Sequence, residues 1–120
     1  TDGEHTGLDI TGDISIVSWI KLDQLPSTTD TQFRLISKYK SGDESYLLYL
    51  LSDDKLRLLW SGDGSTNSLE TSNAVAVDAD DVGEWVHLAA TLDVSAQDCI
   101  LYKNGSSGQV HLLMVADFNL

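Results

Sequence analysis

The chain has 120 residues and a formal net charge of -12, with 19 acidic against 7 basic side chains. That balance excludes nucleic acid and insertion at anionic membranes as expected partners, since both would be repelled. Its 42% hydrophobic content is too high for a disordered acidic tail and predicts one domain with a single core across residues 1–120. The first predicted strand is Ile14–Leu22. Ile14, Ile16, Ser18, Ile20 and Leu22 share its core face, and Ser15, Val17, Trp19 and Lys21 share the other. A loop over Leu25–Asp30 follows, then a second strand, Phe33–Lys38, of mixed pattern.

Ser45–Leu51 is apolar on both faces, which suits a central strand covered on both sides. Asp53-Asp54 then turns the chain into Lys55–Trp60, so these two strands form a hairpin. Residues 61–68 are turn-rich and predict a surface loop, and Leu69–Val77 holds a weaker strand. After the acidic loop Asp78–Gly83 comes a strand over Trp85–Asp93, with Val86, Leu88, Ala90 and Leu92 inward and Trp85, His87, Ala89 and Thr91 outward. Cys99–Lys103 is next. Its end at Asn104-Gly105 is the strongest short hairpin signal in the chain. A last strand, Val110–Val115, is expected after a Gly105–Gly108 turn. Strands joined by short turns, with no amphipathic helix, imply antiparallel sheets packed face to face. No apolar run approaches the ~18–20 residues of a membrane span, and no signal peptide is visible at Thr1.

Several stretches resemble the strands of concanavalin A-like, laminin-G-like jelly-roll domains. Gly12–Lys21 is similar to that family's strand with a central tryptophan followed by a basic residue, and Leu35-Ile36-Ser37-Lys38 to its next strand. Ser45–Leu50 with Asp54-Lys55-Leu56 resembles its hairpin, Gly83–Ala89 its Gly-Glu-Trp-Val-His strand, and Leu101–Gly105 its Leu-Tyr-Lys-Asn-Gly turn. The resemblance implies an all-β antiparallel two-sheet jelly-roll sandwich. Members usually run longer, with a strand before the position of Thr1 and a pair of later strands. It therefore also implies a fragment or a naturally shortened sandwich, completed by a partner or leaving sheet edges for homo-oligomer contacts.

Glycoside hydrolysis needs two carboxylates held ~5–9 Å apart. The superfamily's glucanases set them alternately along one strand, and no strand here carries such a row, so the chain is expected not to be an enzyme. No Gly-x-Ser-x-Gly elbow is present either. Members of the superfamily often bind calcium through loop carboxylates. The strongest candidates here are Asp78, Asp80 and Asp81, with Asp9 and Asp13, Asp53 and Asp54, and Asp63 with Asn67 as further ones. The same aspartates also serve as ordinary turn residues. The single cysteine, Cys99, reads as a small buried hydrophobe, and His87 as a packing residue beside Trp85 rather than a zinc ligand.

Carbohydrate recognition needs aromatic rings to stack on sugar faces and polar groups to meet hydroxyls. Trp60 is the aromatic expected to be exposed, because it abuts the loop carrying Asp63 and Asn67; a tryptophan at a strand end also serves as a core residue. The resulting expectation is a non-catalytic extracellular or cell-surface recognition or adhesion module, binding a glycan or an extracellular protein, with calcium as a structural ion. The competing expectation is an assembly subunit of a surface layer, filament or viral particle.

Overall fold

Alternating apolar side chains give this chain two sheets whose inner faces meet. The computed structural model describes residues 8, 10–40, 42–64, 69–71, 75–109 and 112–113. Strands β1 (Ile14–Lys21), β6 (Trp85–Asp93), β7 (Asp98–Lys103) and β8 (Ser106–Gln109) form a four-stranded sheet in the order β1-β6-β7-β8. Strands β2 (Phe33–Lys40), β3 (Asp43–Leu50), β4 (Leu56–Trp60), β5 (Leu69–Thr71) and β9 (Leu112–Leu113) form a five-stranded sheet in that order. Every ladder is antiparallel, as a jelly-roll sandwich requires.

The core lies between the sheets. Ile14, Ile16, Val86, Leu88, Ala90, Leu92, Cys99 and Leu101 line it from the four-stranded sheet. Leu48, Leu50, Leu56, Leu58 and Trp60 line it from the other. Full burial of one such aliphatic side chain is worth about 1.5–3 kcal/mol. Ser18, the polar interruption on the inner face of β1, is half-buried, and its hydroxyl donates to the Leu88 carbonyl at 3.4 Å. Thus β1 keeps its inward register despite one polar position.

Two local details depart from the sequence reading. Pro26 fixes one turn of helix, α1 (Pro26–Thr29), inside the expected loop, because its ring sets φ for a helical first position. The Asp53-Asp54 turn is as expected, with Asp54 in the left-handed region at φ 68°; its carboxylate also accepts from the amide and hydroxyl of Ser27 at 2.8 and 2.6 Å. The β7–β8 turn is only Asn104-Gly105, with φ of 49° and 80°. Two consecutive left-handed residues match the twist of the flanking strands. Ser106 therefore begins β8 at once, opposite Lys103, where the sequence suggested a longer turn. Most of the expected strand Val110–Val115 lies outside the described residues.

Candidate functional site on the outer face of the four-stranded sheet

Antiparallel pairing of β1 with β6 sets Trp19 opposite His87 and Lys21 opposite Trp85. Alternation sends all four to the face away from the core. Trp19 is 64% exposed, Trp85 63% and Val17 63%. Large apolar side chains rarely stand out this far in a group, and such patches mark interaction sites. The two indoles are diagonal neighbours on adjacent strands, a relation that sets Cβ atoms roughly 7–8 Å apart or somewhat less. His87 stands edge-on to Trp19, with ring centroids 5.1 Å apart and an interplanar angle of 68°. That T-shaped contact steadies the Trp19 ring. One row further along, Val17, Ala89, Tyr102 and Ser107 are aligned across the sheet, and beyond them Ser15, Thr91 and Ile100. Ala89 is buried beneath its larger neighbours.

The acidic loop fixes the entry of the chain into β6. Asp78 caps a 3-10 turn over Ala79–Asp81, its Oδ1 accepting from the Asp80 amide at 3.0 Å. Asp81 Oδ2 accepts from the Asp78 amide at 2.8 Å, completing a reciprocal capping box. The same oxygen accepts from Lys103 Nζ at 2.6 Å. Gly83, at φ 81°, then turns the chain so that its amide donates to the Leu22 carbonyl at 2.8 Å, and β6 begins two residues later. At the other end of the patch, the His87 amide donates to Asn104 Oδ1 at 3.0 Å and the Asn104 amide to the His87 carbonyl at 2.8 Å. The start of β6 is thus clamped to the β7–β8 hairpin by an ion pair and two hydrogen bonds.

The residues singled out from the sequence fall elsewhere. Trp60 is 1% exposed, and its Nε1–H donates to the Ile10 carbonyl at 3.0 Å. The expectation of an exposed Trp60 is therefore corrected: in β4, Trp60 shares the inward parity of Leu56 and Leu58, and its buried N–H is satisfied by backbone. Asp63 is exposed and accepts from the Ser61 hydroxyl at 3.1 Å; Asn67 lies outside the described residues. Asp78 and Asp81 turn their carboxylates onto their own loop and Lys103, whose ammonium stands 3.9 Å from Asp78 Oδ2 as well. Asp80 contributes its amide to the cap. Among the described residues no group of three His, Cys, Asp or Glu side chains is placed to hold a metal ion. Asp13 accepts from the Val94 amide at 2.8 Å, Asp53 pairs with Lys55 at 3.2 Å, and Asp9 lies outside the described residues.

Trp85, placed outward by the alternation of β6, is exposed. Cys99 is buried as expected. Burial, with Asp98 adding repulsion, pushes its thiol from the ordinary 9.0 up to about 12. Among the described residues, no helix is long and apolar enough to cross a membrane.

A search of curated proteins found no match to this chain. A laminin-G-type family model described as the concanavalin A-like lectin/glucanases superfamily matches residues 2–116. With two antiparallel sheets packed as a sandwich and nearly the whole chain matched, this protein belongs to the concanavalin A-like lectin/glucanase superfamily.

Proposed function

We propose that this chain is a non-catalytic extracellular recognition module that binds carbohydrate on the outer face of its four-stranded sheet. The observation that carries the reading is the pair Trp19 and Trp85, each more than three-fifths exposed on one face of adjacent strands. Indole rings cover the apolar faces of sugar rings, and the hydroxyls of Ser15, Thr91 and Ser107 on the same face suit their polar edges. Membership of a superfamily with a lectin-like binding fold supports the reading, as does an acidic, highly charged composition suited to a soluble exported protein. A glycan array probed with the wild type, Trp19→Ala and Trp85→Ala tests it. Binding that both substitutions weaken supports the proposal, and binding indifferent to both removes this face from the account.

A second reading is favoured by a different feature. Among the described residues, β1 pairs only with β6 and β2 only with β3, so each presents a ladder edge. Beside these edges a hollow of about 300 Å³ is lined by residues that include Ile14, Ser15, Ile16, Val17, Ile36 and Tyr46. Association through this side of the sandwich would make the chain an assembly subunit. Light scattering at micromolar concentration tests it: a mass rising with concentration supports it, and a monomer throughout rejects it.

A further inference from the structure

Resting on the carbohydrate reading above, we infer that the ligand of the Trp19–Trp85 face is a neutral, extended, β-linked polysaccharide chain engaged over more than one sugar ring, and not a polyanionic glycan. The charge map of the molecule carries the first half of this. The chain has seven lysines and arginines. Arg34, Lys38 and Lys40 belong to β2, and Lys55 and Arg57 to the β3–β4 hairpin, so five of the seven lie with the five-stranded sheet. Of the two left, Lys103 is engaged by Asp81 at 2.6 Å, with Asp78 at 3.9 Å. Lys21, across from Trp85, is the one cation remaining on this sheet. Glu84 adjoins Trp85 and is exposed, and the exposed pair Asp93 and Asp98 closes the other end of the β6–β7 ladder. A sulfated or uronate-rich chain requires several cations along its track. This face offers one, on a molecule of net charge -12.

The shape of the face carries the second half. The two indoles stand on the pleat of neighbouring strands and Tyr102 lies one row on, across Ala89. Side chains on one face of a sheet present a broad, open surface, on which successive aromatic rings meet successive ligand rings as they do along a single-stranded nucleic acid. Chains with equatorial β-1,4 linkages are straight ribbons whose apolar ring faces lie in line. Helical α-linked chains curve away from such a surface after one ring. Engagement of two indoles makes affinity grow with ligand length until both are covered, then level off.

The test is a titration by intrinsic tryptophan fluorescence and calorimetry. The probes are β-1,4-linked gluco-, manno- and xylo-oligosaccharides from disaccharide to hexasaccharide, with maltohexaose and heparin alongside. The inference predicts binding of at least one β-linked series that strengthens on the order of tenfold from disaccharide to hexasaccharide. It also predicts little dependence on salt, and loss of the length dependence in Trp85→Ala. Heparin binding that weakens steeply with salt, or maltohexaose bound as tightly as the β-linked hexasaccharides, overturns the inference while leaving carbohydrate recognition standing. Silence toward every probe and on a full glycan array overturns the inference and the carbohydrate reading together.

Discussion

Replacing Trp60 by phenylalanine separates a core tryptophan from a ligand-binding one. The indole N–H donates to the Ile10 carbonyl at 3.0 Å, and the ring is 1% exposed among Leu56, Leu58 and Leu48. Phenylalanine removes the donor and leaves the half-buried Ile10 carbonyl without that partner, at a cost of about 1–3 kcal/mol. The smaller ring adds a cavity whose cost depends on how far the core collapses, so the total is about 2–4 kcal/mol. For a chain of this size each kcal/mol lowers the melting temperature by a few degrees, so Trp60→Phe melts on the order of 10 °C lower by circular dichroism. The folded variant keeps wild-type affinity for any glycan the protein binds. An unchanged melting temperature combined with lost glycan binding would refute this assignment and return Trp60 to the ligand site.

Other outcomes follow from the same geometry. Lys103→Met strands the Asp81 carboxylate beside its own capping box and destabilises by about 1–3 kcal/mol in urea denaturation. A double-mutant cycle with Asp81→Asn isolates the pair, and a coupling indistinguishable from zero would show that the clamp does not hold β6. Asn104→Ala forces alanine to φ 49° and removes the acceptor for the His87 amide, costing about 1–2 kcal/mol. Asn104→Gly recovers the backbone part alone, so it falls between Asn104→Ala and wild type. Cys99 is protected from iodoacetamide in the folded protein and alkylated on unfolding. Its raised thiol pKa means the folded state holds a proton that the unfolded chain releases above pH 9.0. The Cys99 contribution is therefore fully present below that pH and falls as pH rises toward about 12. A Cys99→Ala variant whose stability declines just as steeply over that range would contradict the assignment.

The fold was legible where alternation and turn chemistry speak locally. β6 runs over the residues its pattern predicted, Trp85–Asp93, and Asn104-Gly105 makes the turn its residue types demand. The inward and outward faces of β1 are likewise those the alternation implied, with Trp19 and Val17 outward. Trp60 was misplaced because its neighbourhood, a turn-rich loop, outweighed its parity. Reading Leu56, Leu58 and Trp60 as one face would have put it in the core. The Trp19–Trp85 patch could not be read from either strand alone. Each strand shows one outward tryptophan, and a single one on an outer face is unremarkable. What joins them is the pairing of β1 with β6, residues about seventy positions apart in the chain, which no local pattern encodes. The acidic loop likewise depends on a residue distant in the chain. Asp78 and Asp81 form a capping box within the loop, and the lysine that pairs with them arrives from β7.

Oxidation of the indoles by N-bromosuccinimide, followed by peptide mapping, tests the proposed face most directly, because the chain has three tryptophans and assigns them opposite fates. In the folded protein Trp19 and Trp85 are oxidised first and Trp60 is spared until the chain unfolds. A saturating β-linked oligosaccharide that binds the protein shields Trp19 and Trp85 together. Oxidation of both at an undiminished rate with that ligand bound, or of Trp60 as readily as the other two, would contradict a sugar-binding face on the four-stranded sheet.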